Sequence, residues 1–231
     1  NSSGKFGKSA IFNGTSSYFD IPAPTLGNDA FTISMWLNFD DLASERYIFS
    51  KYKNTGQYGM LCQSPPSVAT ITFTAYNTGG GGYSVTTTTS MSTGVWYNYV
   101  ITFDFHGGSP AIIAYLNGSQ EATTTPTGTF GQNNAELSIG RYWAGATYFD
   151  GEMDQIRLFP SALSPDQVTD LYNEVAYQTK FTNGTTDTIV FKEGSGNITF
   201  QKADAEPGAE IGMLRCNTTL GQMEHYTATG Y

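Results

Sequence analysis

Ionisable side chains are scarce in this chain. Asp, Glu, Lys and Arg together make up 13% of its 231 residues, histidine occurs only twice, and 20 acidic residues against 11 basic ones leave a net charge of −9. A protein that binds nucleic acid needs a basic face to displace counterions from phosphates, so that class is excluded. The low charge density also excludes a disordered segment kept in solution by its charges. The two cysteines, Cys62 and Cys216, are too far apart for a metal knuckle. They stand as two separate thiols or, less commonly, as a pair, and tell little about the compartment. No apolar run approaches the roughly 18 residues that cross a bilayer. Nothing near the start reads as a secretory signal, and without an initiator methionine the chain is expected to be a processed or excised piece. Neither G-x-G-x-x-G nor G-x-x-x-x-G-K-S/T occurs, so a phosphate cradle has no support.

What the chain has in quantity is Gly (26), Tyr (15) and Phe (15), with abundant Thr. β-Branched and aromatic residues broken up by Gly and Asn suit many short strands. Residues 9–12 lead into Asn13-Gly14, and residues 17–21 alternate up to Pro22. Residues 31–39 have apolar side chains at odd positions and mostly polar ones between, the pattern of a half-buried antiparallel strand, with Trp36 the exception on the second face. Further strands are expected over 46–51, 58–63, 68–76, 95–103, 111–116, 137–140 and 152–159. Turn signals separate them at Gly79-Gly80-Gly81-Gly82, read as a flexible loop, at Gly107-Gly108-Ser109-Pro110 and at Asn117-Gly118. Regular short strands of this kind describe an all-β, two-sheet sandwich or jelly roll. Six N-x-S/T sequons begin at Asn1, Asn13, Asn117, Asn183, Asn197 and Asn217. The Asn-Gly pairs among them read as turns before they read as glycan acceptors.

One helix interrupts the strands. Ser164, Pro165, Asp166 and Gln167 supply an N-cap, a proline at the first helical position and an acidic first turn, after which Val168, Leu171, Tyr172 and Val175 recur at helical spacing. It is expected to pack across one end of the sandwich. After about residue 178 apolar side chains thin out, with short strands expected at 186–191 and 197–201. Some 50 residues of this texture make a marginal core on their own. The expected division is therefore residues 1–177 as a jelly roll and 178–231 as a small β-rich segment that needs a partner surface.

Several motifs carry a family resemblance. Ser9-Ala10-Ile11-Phe12-Asn13-Gly14, Phe31-Thr32-Ile33-Ser34-Met35-Trp36, Ile48-Phe49-Ser50-Lys51 and the run from Trp96 to Asp104 come first. Ala114-Tyr115-Leu116-Asn117-Gly118, Leu137-Ser138-Ile139-Gly140-Arg141, the run from Phe149 to Arg157, and Ala162-Leu163-Ser164-Pro165 follow. In this order, over residues 4–175, they resemble the concanavalin A-like, laminin-G-type jelly roll of lectin and adhesion modules. The resemblance implies a fold, with Trp36 and Trp96 in core positions, more than a function. It also implies a candidate Ca²⁺ site, because Asn13 and Asp154 match positions that approach when the terminal strands pair. Oxygen ligands of this type suit a hard cation, although Asn13 could simply make its turn and Asp154 pair with Arg157 or cap a backbone donor. Gly212-Met213-Leu214-Arg215-Cys216-Asn217, Gln222-Met223-Glu224-His225-Tyr226 and Gly230-Tyr231 are similar to a segment of phage and virus tail-fibre and virion structural proteins. That segment usually has an aromatic in place of Cys216 and Trp in place of Tyr231.

Catalysis has little support. Glu152-Met153-Asp154-Gln155-Ile156-Arg157 matches the first two carboxylates of the concanavalin A-like glucanase strand, but Arg157 stands where the second glutamate belongs. Arginine cannot protonate a leaving oxygen. His106 and His225 have no nucleophile context around them. Carbohydrate binding is better represented: sugar rings stack on aromatic faces, and Arg141, Tyr142, Trp143 and Tyr148 lie together between two expected strands. Tyr142 or Tyr148 could instead fill the core at a strand end. Tyr47, Tyr52 and Tyr58 form a second, weaker set. The expectation is a non-catalytic virion structural protein, a fibre, spike or decoration at the virion surface, that uses a lectin-like head for attachment or glycan binding. It would be a homo-oligomer, in a fibre a trimer, contacting other virion proteins. The alternatives are a carbohydrate-binding or adhesion module of an extracellular cellular protein and, with least support, a glycoside hydrolase.

Overall fold

The computed structural model describes residues 4–22, 30–52, 59–105, 108–131, 133–143, 145, 147–174, 213–217 and 222–226. The chain divides into two compact units, Asn1–Gln178 and Thr179–Tyr231.

The first unit runs β1 (Ala10–Asn13), β2 (Phe19–Ile21), β3 (Ala30–Phe39), β4 (Arg46–Lys51), β5 (Met60–Ser64), β6 (Thr72–Tyr76) and β7 (Gly82–Thr86). It continues with β8 (Trp96–Asp104), β9 (Ala111–Leu116), β10 (Ser119–Thr124), β11 (Leu137–Ile139), β12 (Asp150–Phe159) and α1 (Pro165–Asn173). Two six-stranded antiparallel sheets result, in the orders β1-β12-β3-β8-β9-β10 and β2-β11-β4-β5-β6-β7. The all-β sandwich expected from the strand spacing is the observed architecture.

The period-2 pattern explains the core. Phe31, Ile33, Met35, Leu37 and Phe39 of β3 and Tyr99, Ile101 and Phe103 of β8 turn inward to meet Ile48, Phe49, Cys62, Phe73 and Ala75 of the second sheet. Register locks the rows together: Phe31 lies opposite Phe103, with ring centroids 4.4 Å apart. Burying each such side chain contributes about 1.5–3 kcal/mol, so the sandwich holds a core of its own. The β9–β10 hairpin closes on Asn117 and Gly118, with φ of 52° and 77°, the two left-handed positions of the short hairpin turn.

The first sheet is covered on its outer face as well. β3 and β8 carry apolar groups outward, and α1 lies over them, Val168 packing with Val100 and Tyr115 and Tyr172 stacking on Trp36 at 5.8 Å. The helix therefore covers a sheet face rather than one end of the sandwich. Its start is the Ser164 N-cap read from the sequence, and the structure completes it as a capping box, Ser164 and Gln167 bonding reciprocally. Phe6 and Lys5 complete the cover over the same indole. Trp36 is accordingly buried on the outer side, and Trp96 is half-buried at the start of β8, so neither joins the main core. The glycine run is a turn into β7, organised by the Asn77 side chain, which accepts from Gly79 and Gly81 N–H at 3.0 and 2.8 Å.

The second unit contributes a hairpin of β13 (Met213–Asn217) and β14 (Gln222–Tyr226), paired from Met213–Tyr226 to Asn217–Gln222. The strands expected at 186–191 and 197–201 lie outside the described residues. Among the described residues no helix is long and apolar enough to cross a membrane.

Candidate functional site

The outer face of the second sheet, unlike that of the first, is left open by the helix. Its side chains are those that alternate away from the core: Asp20, Ser138, Ser50, Leu61, Thr74 and Ser84 stand in one row across the register. Beside them Tyr47 ends up opposite Gln63, and the segment that leaves β11 crosses over Ser50, whose hydroxyl donates to the Arg141 carbonyl at 3.1 Å. That crossing brings Tyr142 down between two tyrosines of the β4 segment, its ring centroid 4.8 Å from Tyr47 and 6.3 Å from Tyr52. Tyr52 in turn lies 5.7 Å from Tyr76. The result is a continuous half-buried aromatic row, Tyr47–Tyr142–Tyr52–Tyr76, flanked by Trp143 at 6.4 Å from Tyr142.

Next to the row is a cleft of about 150 Å³ lined by Tyr52, Asn134, Ala135, Glu136, Ser138, Arg141 and Trp143. Its wall is held from inside the sandwich by Lys51. This lysine is 3% exposed and donates to the carbonyls of Asn133 and Ala135 at 3.0 and 2.6 Å. Burial pushes its ammonium pKa down. Burial likewise pushes the Tyr47 and Tyr76 phenols up, with Glu45 and neighbouring tyrosines adding to the effect at Tyr47 and other tyrosines at Tyr76. Both therefore remain neutral O–H groups at any physiological pH.

The residues anticipated from the sequence separate into two groups. Tyr142 and Trp143 stand at the aromatic row and the cleft. Arg141 is committed on one side, its Nη2 donating to Asp20 Oδ2 at 2.8 Å and its guanidinium lying 3.6 Å over the Tyr18 ring, while its Nε has no protein partner. Tyr148 bridges back to Arg141 but turns its ring to Tyr18, 6.2 Å away, off the row. Neither Tyr142 nor Tyr148 belongs to the buried core. Tyr47 and Tyr52 merge with the Tyr142 patch instead of forming a separate set. Tyr58 and His106 lie outside the described residues. Tyr76, Ser138 and Glu136 were not anticipated; the outward positions Thr72, Thr74 and Tyr76 on β6 were the available signal.

Asn13 and Asp154 do not come together. β1 and β12 pair with Asn13 opposite Asp150 and Ala10 opposite Met153, which places Asp154 some four residues further along, about 13 Å at the rise of a strand. Both side chains also have other work. Asn13 Oδ1 accepts from the N–H groups of Thr15, Ser16 and Ser17 at 2.9–3.1 Å, making the turn. Asp154 accepts from Phe6 N–H at 2.8 Å and Gln155 N–H at 2.7 Å. Saturated by donors and apart, these oxygens do not fit a shared Ca²⁺ ion. Among the described residues no three His, Cys, Asp or Glu side chains converge as metal ligands. Glu152 accepts from Ser9 Oγ, and Arg157 pairs with Glu174. Glu152 and Asp154 both project from the outer face of the first sheet, on the far side of the sandwich from the aromatic row.

A two-sheet antiparallel sandwich of this topology is a lectin-type scaffold. The chain belongs to the concanavalin A-like lectin/glucanases superfamily, whose laminin G model matches residues 13–169. Among solved structures it is similar to domain 4 of AbnA, a GH43 extracellular arabinanase from Geobacillus stearothermophilus, determined in complex with arabinotriose. The two are 24% identical over 74% of this chain and 79% of that one, with a TM-score of 0.59. It is also similar to the binding domain of Paraclostridial Mosquitocidal Protein 1, at 16% identity and a TM-score of 0.59. That match covers 74% of this chain but only 44% of the other. A third similar structure is the heptameric SAP-like pentraxin of Limulus polyphemus, at 17% identity over 70% and 80% of the two chains, TM-score 0.51. At these identities the likeness is one of fold. No curated protein matches the sequence.

Proposed function

We propose that the chain is a non-catalytic glycan-binding module whose ligand lies on the open outer face of the second sheet. The observation that carries this reading is the row of half-buried tyrosines with Trp143 and a polar cleft at its side. Sugar C–H faces stack on such rings, and the exposed Glu136 and Asn134 offer directed hydrogen bonds to hydroxyls, while Ser138 is buried with its hydroxyl donating to Asp20. Two buried polar atoms on this face, Gln63 Oε1 and Arg141 Nε, have no protein partner. The net charge of −9 disfavours anionic ligands, so the glycan is neutral. The tail hairpin sequence, similar to virion fibre segments, supports a place at a virion surface in a homo-oligomer of trimeric type. There, weak single sites act together through avidity. A second reading, an accessory carbohydrate-binding module of an extracellular cellular protein, is favoured by the likeness to a domain of an extracellular arabinanase.

The test is a glycan array on the full chain, repeated with Trp143→Ala and Tyr142→Ala. Losing one stacked ring is expected to weaken binding to the hit about tenfold, equivalent to about 1.4 kcal/mol, with the unfolding midpoint little changed for Trp143→Ala. Absence of any glycan hit, or variants that bind as the parent does, would refute the lectin reading.

A further inference from the structure

Arg46, at the start of β4, is surrounded by oxygen. Its Nε donates to Asp41 Oδ2 at 3.1 Å, and its Nη2 reaches the same atom and, at 3.4 Å, Asp150 Oδ2. Nη1 donates to the backbone carbonyls of Gly14 and Tyr148, each at 3.2 Å. The Arg46 side chain is only 14% exposed. These four oxygens come from separate stretches of chain: the turn after β1, the β3–β4 connection, and the two residues on either side of Phe149. Two carboxylates and two carbonyls gathered around one cationic group are the ligand types that a hard divalent cation takes, yet here they are spread over the nitrogens of the chain's own guanidinium. The fit is close, since a Cβ placed on Gly14 would come within 2.8 Å of Asp150 Cγ and 3.1 Å of Arg46 Nη1.

We infer that Arg46 is a built-in cation, its guanidinium satisfying an oxygen cage of the kind that otherwise takes Ca²⁺ and so pinning this corner of the sandwich without metal. A guanidinium built into the chain cannot be removed by a chelator. It also ties the aromatic face to the scaffold. The Tyr148 carbonyl is one of the four oxygens, and Tyr148 bridges to Arg141, which opens the segment carrying Tyr142 and Trp143. Arg46 is thus a positioning residue, and its role does not depend on which ligand that face takes.

The experiment is thermal unfolding of the full chain in millimolar CaCl₂ and in EDTA, for the parent and for Arg46→Ala. The parent is expected to show one midpoint in both buffers. Arg46→Ala is expected to melt lower in EDTA and to recover several degrees with Ca²⁺, because the emptied cage keeps its four oxygens and gains a ligand that binds only the folded state. An Arg46→Ala protein that folds and ignores Ca²⁺ would overturn the inference. If that variant does not fold, Arg46→Gln, which drops the charge but keeps side-chain donors, carries the same comparison with the same two outcomes. Calorimetric titration of the parent with CaCl₂ decides independently of either variant. No stoichiometric uptake supports the built-in cation, and uptake that Asp150→Asn abolishes overturns it.

Discussion

Gly140, the residue between β11 and Arg141, offers a quantitative check on how the candidate site is joined to the core. Its φ is +84°, and a Cβ there would fall 2.2 Å from Phe12 Cε1 and 2.4 Å from Cδ1. Phe12 itself is 3% exposed and wedged edge-on against Phe149 at 5.6 Å, so its ring has little room to retreat. Gly140→Ala therefore carries two separable costs. The left-handed backbone costs an alanine about 1–2 kcal/mol, and the overpacking against Phe12 adds about 1–3 kcal/mol. Together, about 2–5 kcal/mol lowers the midpoint of a unit this size by about 4–20 °C. The two costs are distinguished by Phe12→Leu, a large-to-small change that alone costs less than the roughly 3–5 kcal/mol of a Phe→Ala truncation and opens space where the methyl must go. The double variant should be less destabilised than the sum of the singles by about 1–3 kcal/mol. Urea unfolding followed by tryptophan fluorescence is the appropriate assay, because all three tryptophans, Trp36, Trp96 and Trp143, lie in the first unit. Additivity of the two substitutions to within about 0.5 kcal/mol would refute the proposed contact between Gly140 and the Phe12 ring.

Other expectations concern separate parts of the molecule. Ser164→Ala removes the N-cap of α1 and should cost about 1 kcal/mol, read as a lower urea midpoint with an unchanged slope; no change would mean that the helix contributes nothing to the fold. Glu121 is held down to about 2: burial pushes its carboxyl up, but hydroxyl and N–H donors of Thr88 and Thr89 outweigh it. A carboxyl depressed in the folded state stabilises above its unfolded value, near 4.5, and that contribution is lost as pH falls from there toward 2. Glu121→Gln should therefore lower stability at neutral pH and flatten its fall over that window, and a profile identical to the parent's would contradict the assignment. Cys62 is fully buried, which pushes its thiol up. It should resist alkylation in the native protein and react only on unfolding, as read by peptide mass, and rapid native labelling would oppose its burial.

How much of this was legible in the sequence depends on how far each feature reaches along the chain. β3, β4, β8 and β9 announce themselves by alternation or by unbroken apolar runs, and α1 by its N-cap, first-turn proline and helical spacing, because these signals are local. β10, Ser119–Thr124, is polar but for Ala122 and lies at a sheet edge, where packing asks little of most of its side chains. β7 starts inside the glycine run and was hidden by it. The aromatic face shows the same limit. Tyr142 and Trp143 were visible as a loop cluster, but their union with Tyr47, Tyr52 and Tyr76 depends on β11 pairing with β4 and on the order β4-β5-β6, which no local pattern encodes. The separation of Asn13 from Asp154 likewise comes from strand register. A shift of three or four residues leaves the composition of each strand untouched and moves a ligand by a whole metal-site diameter.

The indole of Trp36 collects both ends of the first unit: Lys5 Nζ lies 4.2 Å above it and Tyr172 stacks on it. Incoming and outgoing chain therefore meet within one side chain's width, on the side of the sandwich away from the tyrosines. A domain with its ends gathered this way can be threaded into another polypeptide like a bead, with little strain on its host. A link at residue 5 or residue 172 therefore starts on the face opposite the tyrosines.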